Sequence, residues 1–210
     1  IANVLKAAGL APAPIRRQGM TWKEFIKTHW EVLAATDFFT VELWTAKGLL
    51  RYHVLFVIKL ATREVKIAGL VPEPGESWML QVVRNLVDPW SGFLRDSRLL
   101  IHDRSALFSE QFRQVLRRAR VEALRLPARS PNLNAYAERF VRSIREECLD
   151  RIIFIGEEAL RRAVEEFVVH YTGERNHPSL DNKIIQPEPA EFPCSGRIRC
   201  RKRLGGLLNY

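Results

Sequence analysis

The sequence predicts an α/β fold, a mixed five-stranded sheet flanked by helices. Three observations predict it. First, residues 33–44 (LAATDFFTVELW) and 52–71 (YHVLFVIKLATREVKIAGLV) are dense in β-branched and aromatic residues, the composition of paired strands. Second, RLLIHD at 98–103 is a short, nearly all-apolar run of the kind that a parallel strand buried on both faces carries. Third, the segments that follow alternate between helical and strand patterning, which places helices against the faces of the sheet.

Taken in order, strands are expected at about 33–44, 51–60 and 64–71, the last two joined by a hairpin turn at Ala61-Thr62-Arg63-Glu64. Pro72 and Pro74 close that segment, and a helix is expected from about Ser77, its cap, to Pro89. A strand at 98–103, a helix near 109–119 and a strand at 121–126 follow. Pro127 and Pro131 frame a loop, after which helices are expected at 133–150 and 157–171. The first three strands read as antiparallel and the last two as parallel additions. The 66 positions from Asp37 to Asp103 allow the long crossover that a parallel neighbour requires. Before the sheet, residues 1–30 read as the end of an upstream module and a Pro-rich linker, with Thr21 capping a short helix. The remainder from 176 to 210 reads as an extended basic tail.

The chain has 210 residues, 47% of them apolar, enough for one domain with a core. Its formal charge of +9, at a pI near 9.9, points to a polyanionic partner, most often nucleic acid. No run approaches the ~20 apolar residues of a membrane helix. No signal peptide is visible, and the opening Ile1 suggests a segment of a longer protein. Three cysteines, Cys148, Cys194 and Cys200, make no even framework and fit a reducing cytosol. Cys194 and Cys200 could pair or share a metal with His177, though the spacing matches no zinc pattern.

Three acids carry the chemical interest. Asp37 lies inside an apolar strand, where a carboxylate is costly unless paired or metal-bound. Asp103 ends its strand at the carboxyl edge, where open α/β sheets place ligands. Glu138 lies early on a helix whose apolar stripe is Ala137, Val141, Ile144 and Cys148, with Arg142, Arg145 and Leu149 beside it. Singly, each acid has a plainer role: a buried ion-pair member, a turn residue, and an i,i+4 partner of Arg142. Together, three carboxylates are the donor set for two Mg²⁺ or Mn²⁺ ions in phosphoryl transfer. Arg139, Arg142 and Arg145 are candidates for neutralising DNA phosphates, and Asn132 and Asn134 for holding a phosphate at a helix start. Ser130 shares that position, and capping explains Asn132 equally well. His102 either orients Asp103 or packs as a strand-end residue. Trp44, Trp78 and Trp90 read as core or interface packing. Arg197, Arg199, Arg201, Lys202 and Arg203 form either a DNA-contacting or a solvated arm.

Four blocks, ATDFFTVE (35–42), IHDRSALFSEQF (101–112), SPNLNAYAERFVRSIREECLDR (130–151) and HYTGERNHPSL (170–180), resemble the integrase core of bacterial insertion-sequence transposases, relatives of retroviral integrases. The third block is the most specific, and the likeness spans about residues 20–190. The resemblance implies a ribonuclease H-like fold and a catalytic core over 31–175. It makes Asp37, Asp103 and Glu138 both metal ligands and catalytic residues for DNA cleavage and strand transfer. It also implies DNA as partner, a homo-oligomer when active, and a bacterial cytoplasmic, nucleoid-associated setting. The helix-turn-helix module of ordinary transposases is expected to be missing from this segment or cut down to its first ten or so residues. The sequence departs from the family in three places. The Asp103–Glu138 interval is one residue shorter than usual, Ser105 stands where many relatives have Asp or Gly, and Tyr171-Thr172-Gly173 followed by Arg175-Asn176-His177-Pro178 replaces a Y-N-x-x-R-P-H block. A nuclease that hydrolyses without joining and an inactive DNA-binding relic are the alternatives.

Overall fold

The computed structural model describes residues 21–127, 131–187 and 200–210, with the main chain alone at 131 and 132. The chain forms two compact units, Ile1–Trp30 and Glu31–Tyr210. In the first, helix α1 (Trp22–Thr28) begins at Thr21. The Thr21 hydroxyl accepts the Glu24 N–H, and the Glu24 carboxylate accepts the Thr21 N–H. Two main-chain donors that the helix leaves unpaired are thereby satisfied.

The second unit is built on a five-stranded sheet: β1 (Leu33–Thr45), β2 (Gly48–Lys59), β3 (Val65–Val71), β4 (Leu99–His102) and β5 (Glu122–Arg125), in the order β3-β2-β1-β4-β5. β1, β2 and β3 are antiparallel neighbours, whereas β4 runs parallel to β1 and β5 parallel to β4. The central strands are buried on both faces, so Val54 to Ile58 of β2 are apolar at every position. Side-chain alternation then sorts the sheet into two layers.

One layer holds α2 (Glu76–Leu86) and α3 (Glu110–Arg118). Met79, Val83, Phe112 and Leu116 pack there against Ala34, Leu55, Val57 and Leu100. α3 lies where a helix was expected, and its N-cap is Ser109, whose hydroxyl accepts the Phe112 N–H. α2 differs from expectation at both ends. Its N-cap is Gly75 rather than Ser77, and it stops at Leu86. The Asp88 carboxylate accepts from the N–H groups of Trp90 and Ser91 and from the Ser91 hydroxyl, so a local turn outcompetes helix before Pro89. Gly69 of β3 lies under the Trp78 ring, where a Cβ would come within 2.5 Å of it, so only glycine lets α2 approach.

The other layer holds α4 (Ala135–Glu147) and α5 (Glu157–Gly173). Its centre is a chain of rings, Phe39–Phe56–Phe140–Phe167, with Tyr171 edge-on to Phe140. α4 is shorter than its apolar pattern suggests, because 131–134 and 149–151 wind as separate 3-10 turns. Its buried positions are Ala137, Phe140 and Ile144, with Cys148 just beyond, so Phe140 takes the place expected of Val141. Phe140 is fully buried among aromatic neighbours, and Phe140→Ala is expected to cost about 3–5 kcal/mol, read as a lowered urea midpoint.

Residues 200–210 do not run out as an arm. β6 (Lys202–Arg203) and β7 (Leu208–Asn209) pair as a small antiparallel ribbon. Leu208 is buried, and the Arg203 guanidinium donates to Glu174 at the end of α5. Arg197, Arg199 and Cys194 lie outside the described residues. Cys148 is buried and Cys200 exposed, both as free thiols. His177 is buried with Nε2 2.6 Å from the Tyr171 carbonyl. Trp78 packs on Gly69 as expected, but Trp44 and Trp90 are exposed. No helix among the described residues is long and apolar enough to cross a membrane.

Candidate active site

Strand alternation sets the position of Asp37. Phe38 packs toward the α2–α3 layer, against Trp78 and Phe108, while Phe39 packs on Phe56 and so faces the α4–α5 layer. Asp37 shares the face of Phe39 and projects toward the layer that carries Glu138. The register pairs Asp37 with Phe56 in the middle of β1, so the carboxylate is largely removed from water. Asp103 follows β4 directly. Because β4 runs parallel to β1 from Leu33↔Leu99 onward, the end of β4 lies beside the middle of β1. Glu138 lies in the first turn of α4, on its exposed side.

Each aspartate commits one oxygen to the local main chain. Asp37 Oδ1 accepts the Phe38 N–H at 2.8 Å, and Asp103 Oδ1 accepts the Ser105 N–H at 2.9 Å. The turn role weighed for Asp103 is therefore real, yet it leaves Oδ2 without a hydrogen-bond partner among the described residues. Glu138 forms no ion pair with Arg142, nor any hydrogen bond among the described residues.

The three acids share one electrostatic environment. Burial is the main cause that raises the Asp37 carboxyl, to about 6. The Phe38 N–H opposes the rise, and the negative charges of Asp103 and Glu138 add to it. At neutral pH Asp37 is a carboxylate held where its charge is disfavoured. Among the described residues, however, no group of three or more His, Cys, Asp or Glu side chains is drawn together closely enough to hold a metal ion as the side chains stand.

The neighbouring candidates divide into two groups. Arg139 and Arg142 are exposed and engage no carboxylate among the described residues. Arg145 differs from that expectation. Its Nη2 donates to the Thr40 carbonyl at 3.0 Å and its Nη1 lies 3.9 Å from Asp150, so it ties α4 to β1. Asn134 also differs, because it is buried. As N-cap of α4 it makes no side-chain cap bond, and its amide nitrogen instead reaches the Thr36 carbonyl at 3.5 Å. It thus joins the helix of Glu138 to the strand of Asp37, and its Oδ1 has no partner among the described residues. The side chain of Asn132 lies outside the described residues, as does Ser130.

His102 is buried against Phe108, with Nδ1 2.6 Å from the Asp103 carbonyl and no partner for Nε2 among the described residues. Burial pushes its imidazole below the usual range, so it is neutral at pH 7 and braces the main chain at Asp103.

Sequence patterning missed one further support. Arg63, in the β2–β3 turn, adopts φ 65° and is buried, with its guanidinium 4.0 Å from the Tyr136 ring centroid at the start of α4. The only sequence signal for it was the turn itself.

Comparison with solved structures places this architecture. The HTLV-2 integrase catalytic core domain in complex with magnesium (dimeric form) superposes with a TM-score of 0.55 at 9% identity, over 74% of this chain and 93% of that one. The simian T-cell lymphotropic virus intasome in complex with the PP2A regulatory subunit B56 gamma gives 0.52 at 10% identity, over 98% and 84%. The fold is ribonuclease H-like. Within it, residues 119–184 match the sequence model of the integrase core domain, a stretch that includes Glu138 and all of α4 and α5. No curated protein matches the chain.

Proposed function

We propose that this chain is the catalytic core of a transposase or integrase that cuts and joins DNA strands with divalent metal, of the bacterial insertion-sequence kind. One observation carries the reading. Asp37, Asp103 and Glu138 come from a central strand, the end of its parallel neighbour and a facing helix, and the charge of the latter two raises the Asp37 carboxyl. The donor set fits Mg²⁺ or Mn²⁺, since all three ligands are hard carboxylate oxygens and each aspartate keeps one oxygen uncommitted. An environment that disfavours the Asp37 anion is one that a divalent cation reverses. When bound, a metal pair supplies Lewis-acid activation of an attacking hydroxyl and stabilisation of the leaving oxygen.

The chain's own residues supply the rest. The Phe38 and Ser105 N–H groups fix the rotamers of Asp37 and Asp103, and His102 and Asn134 brace the main chain on which the acids are mounted. Arg139 and Arg142, on the helix of Glu138, offer free guanidiniums to the DNA backbone. Contacts of this kind engage the phosphate backbone, so binding is expected to be sequence-tolerant and salt-sensitive. Removing Arg139 or Arg142 is expected to flatten the slope of log affinity against log salt by about 1 each, measured by fluorescence anisotropy on oligonucleotides of unrelated sequence. An unchanged slope would remove both from the interface.

The deciding assay is incubation of the chain with labelled duplex DNA and Mg²⁺ or Mn²⁺, scored for nicked and joined products. Nicking without joining would reduce the proposal to a nuclease. No product under either metal, with DNA still bound, would make the chain a non-enzymatic binder.

A further inference from the structure

Three guanidiniums line an open cleft at the end of the sheet away from the acids. Arg98, Arg117 and Arg120 border it together with Leu99, Val121 and Glu122, around a volume of about 540 Å³. The parallel strands bring them there. Arg98 directly precedes β4, and Arg120 lies two residues before β5. The register Leu99↔Glu122, closed by the Glu122 N–H on the Arg98 carbonyl at 2.8 Å, sets the two strand starts side by side. Arg117 joins them from the last turn of α3, which leads into β5. Leu99 and Val121 are buried and form the floor, whereas the three arginines are exposed.

Acids answer this charge only in part. Glu110 meets Arg117 at 2.9 Å, but it also meets Arg113 at 2.8 Å, and Glu122 on the cleft wall forms no ion pair among the described residues. Arg98 and Arg120 make no side-chain hydrogen bond or ion pair among the described residues. Arg120 is also placed at a cost. The Val121 N–H donates to the Leu116 carbonyl and the Arg120 N–H to the Arg117 carbonyl, which closes the helix. Arg120 there takes φ 61°, the left-handed position that glycine fills without strain. An arginine at that position gives up stability and places a guanidinium at the cleft.

We propose that this cleft is a second phosphate-binding surface, which grips the backbone of a DNA duplex other than the one that lies against Arg139 and Arg142. It rests on the functional reading only in that Arg139 and Arg142 bind DNA, and strand cutting plays no part in it. Guanidinium forks match phosphate oxygens two at a time. An open basic cleft suits a polyanion lying across it better than a small molecule, which enclosed and mostly apolar pockets hold. Position separates the two surfaces. Arg139 and Arg142 are on α4, which packs on one face of the sheet, and α3 packs on the other. The cleft lies at the amino ends of β4 and β5, about 17 Å from Asp103 at roughly 3.3 Å per residue. With a persistence length of about 150 bp, one duplex cannot bend around the domain to reach both. The chain is therefore a bridge between two duplexes.

A capture assay without metal tests it. The chain is loaded on an immobilised duplex and offered a second, labelled duplex of unrelated sequence at low salt. The wild type is expected to hold the second duplex. Arg98→Ala combined with Arg120→Gly should still load on the first duplex within about threefold of wild type, yet lose capture by about tenfold or more. Arg120→Gly alone should weaken capture while raising the melting temperature by about 2–4 °C, because it relieves the left-handed strain. A merely structural role for Arg120 would move both in the same direction. A wild type that captures nothing overturns the proposal. So does capture that the double variant keeps, as a self-associating chain with one DNA surface would give, or a double variant whose loading falls in step with its capture. Capture lost in the double variant but kept when Arg139→Ala and Arg142→Ala are combined would uphold the cleft and overturn the assignment of the first duplex to α4.

Discussion

Asp37→Asn, Asp103→Asn and Glu138→Gln are each expected to lower metal-dependent strand cleavage and joining by about a thousandfold or more. Each removes a ligand charge from a site asked to supply several kcal/mol of transition-state stabilisation. DNA binding should persist, since the proposed phosphate contacts are made by Arg139 and Arg142 and not by the acids. Asp37→Asn carries a second signature that a merely structural residue would not show. The Asp37 carboxyl is raised from 3.8 to about 6 by burial first, then by Asp103 and Glu138. A raised acid favours the fold below its unfolded pKa, and that benefit is lost as pH rises through the folded value. The wild type therefore loses stability between about pH 4 and pH 6, by about 3 kcal/mol at an order-of-magnitude level. The Asn variant, which can still accept the Phe38 N–H, avoids that loss. Without metal, urea denaturation at pH 8 should show Asp37→Asn more stable than wild type, and at pH 4 the two should converge. Adding Mg²⁺ or Mn²⁺ at pH 8 should stabilise the wild type and leave the variant unmoved. A destabilised variant at pH 8 would mean that Asp37 is an ordinary paired core acid.

The burial that raises the Asp37 carboxyl is also why this acid stood out in the sequence. A carboxylate amid Ala35, Thr36, Phe38 and Phe39 breaks the strand's apolar pattern, and such breaks mark sites where stability has been given up for chemistry. The strands were legible for the same reason, because a strand buried on both faces has almost no polar residues to blur it. β4 and β5 emerged as short parallel additions, and α3 emerged within a residue of its expected bounds. The pattern did not show how elements are tied across the sheet. Asn134 read as a phosphate ligand because it lies just before the helix of Glu138, yet its amide turns inward to the Thr36 carbonyl. Arg145 belonged by periodicity to a row of free guanidiniums, but the Thr40 carbonyl captures it. Arg63 meets Tyr136 across 73 positions of chain, a pairing that no local window contains. Such contacts depend on how distant segments meet, and hydrophobic periodicity carries no information about that.

The C-terminal ribbon illustrates the same limit and yields the other large effect. Arg203 read as one of a run of tail cations free to meet DNA. It is instead bound to Glu174, which it approaches through both Nε and Nη2, while His170 Nδ1 lies 3.1 Å from the same carboxylate. Burial alone would raise Glu174, but hydrogen bonds from Arg203, Tyr210 and His170 overcome it and hold the carboxyl at about 2. The guanidinium is raised in turn, and the two shifts describe one ion pair, to be counted once. The sign is opposite to that at Asp37. A depressed acid stabilises the fold above its unfolded value, near 4.5, and that contribution drains away as pH falls toward 2. A shift of this size corresponds to about 3 kcal/mol. Glu174 is 10% exposed at its side chain, so solvent screening removes little of it. Glu174→Gln is therefore expected to lower the melting temperature at pH 7 by roughly 6–12 °C for a domain of this size, and by little at pH 2.5. The same variant should expose the ribbon, since Leu208 and the Leu204 N–H bond to Glu166 depend on Arg203 being held. Hydrogen exchange at residues 201–210 would then rise well before the sheet opens. Unchanged protection there, with a normal melting temperature at pH 7, would show that the ribbon is held by its apolar contacts and that the buried ion pair adds nothing net.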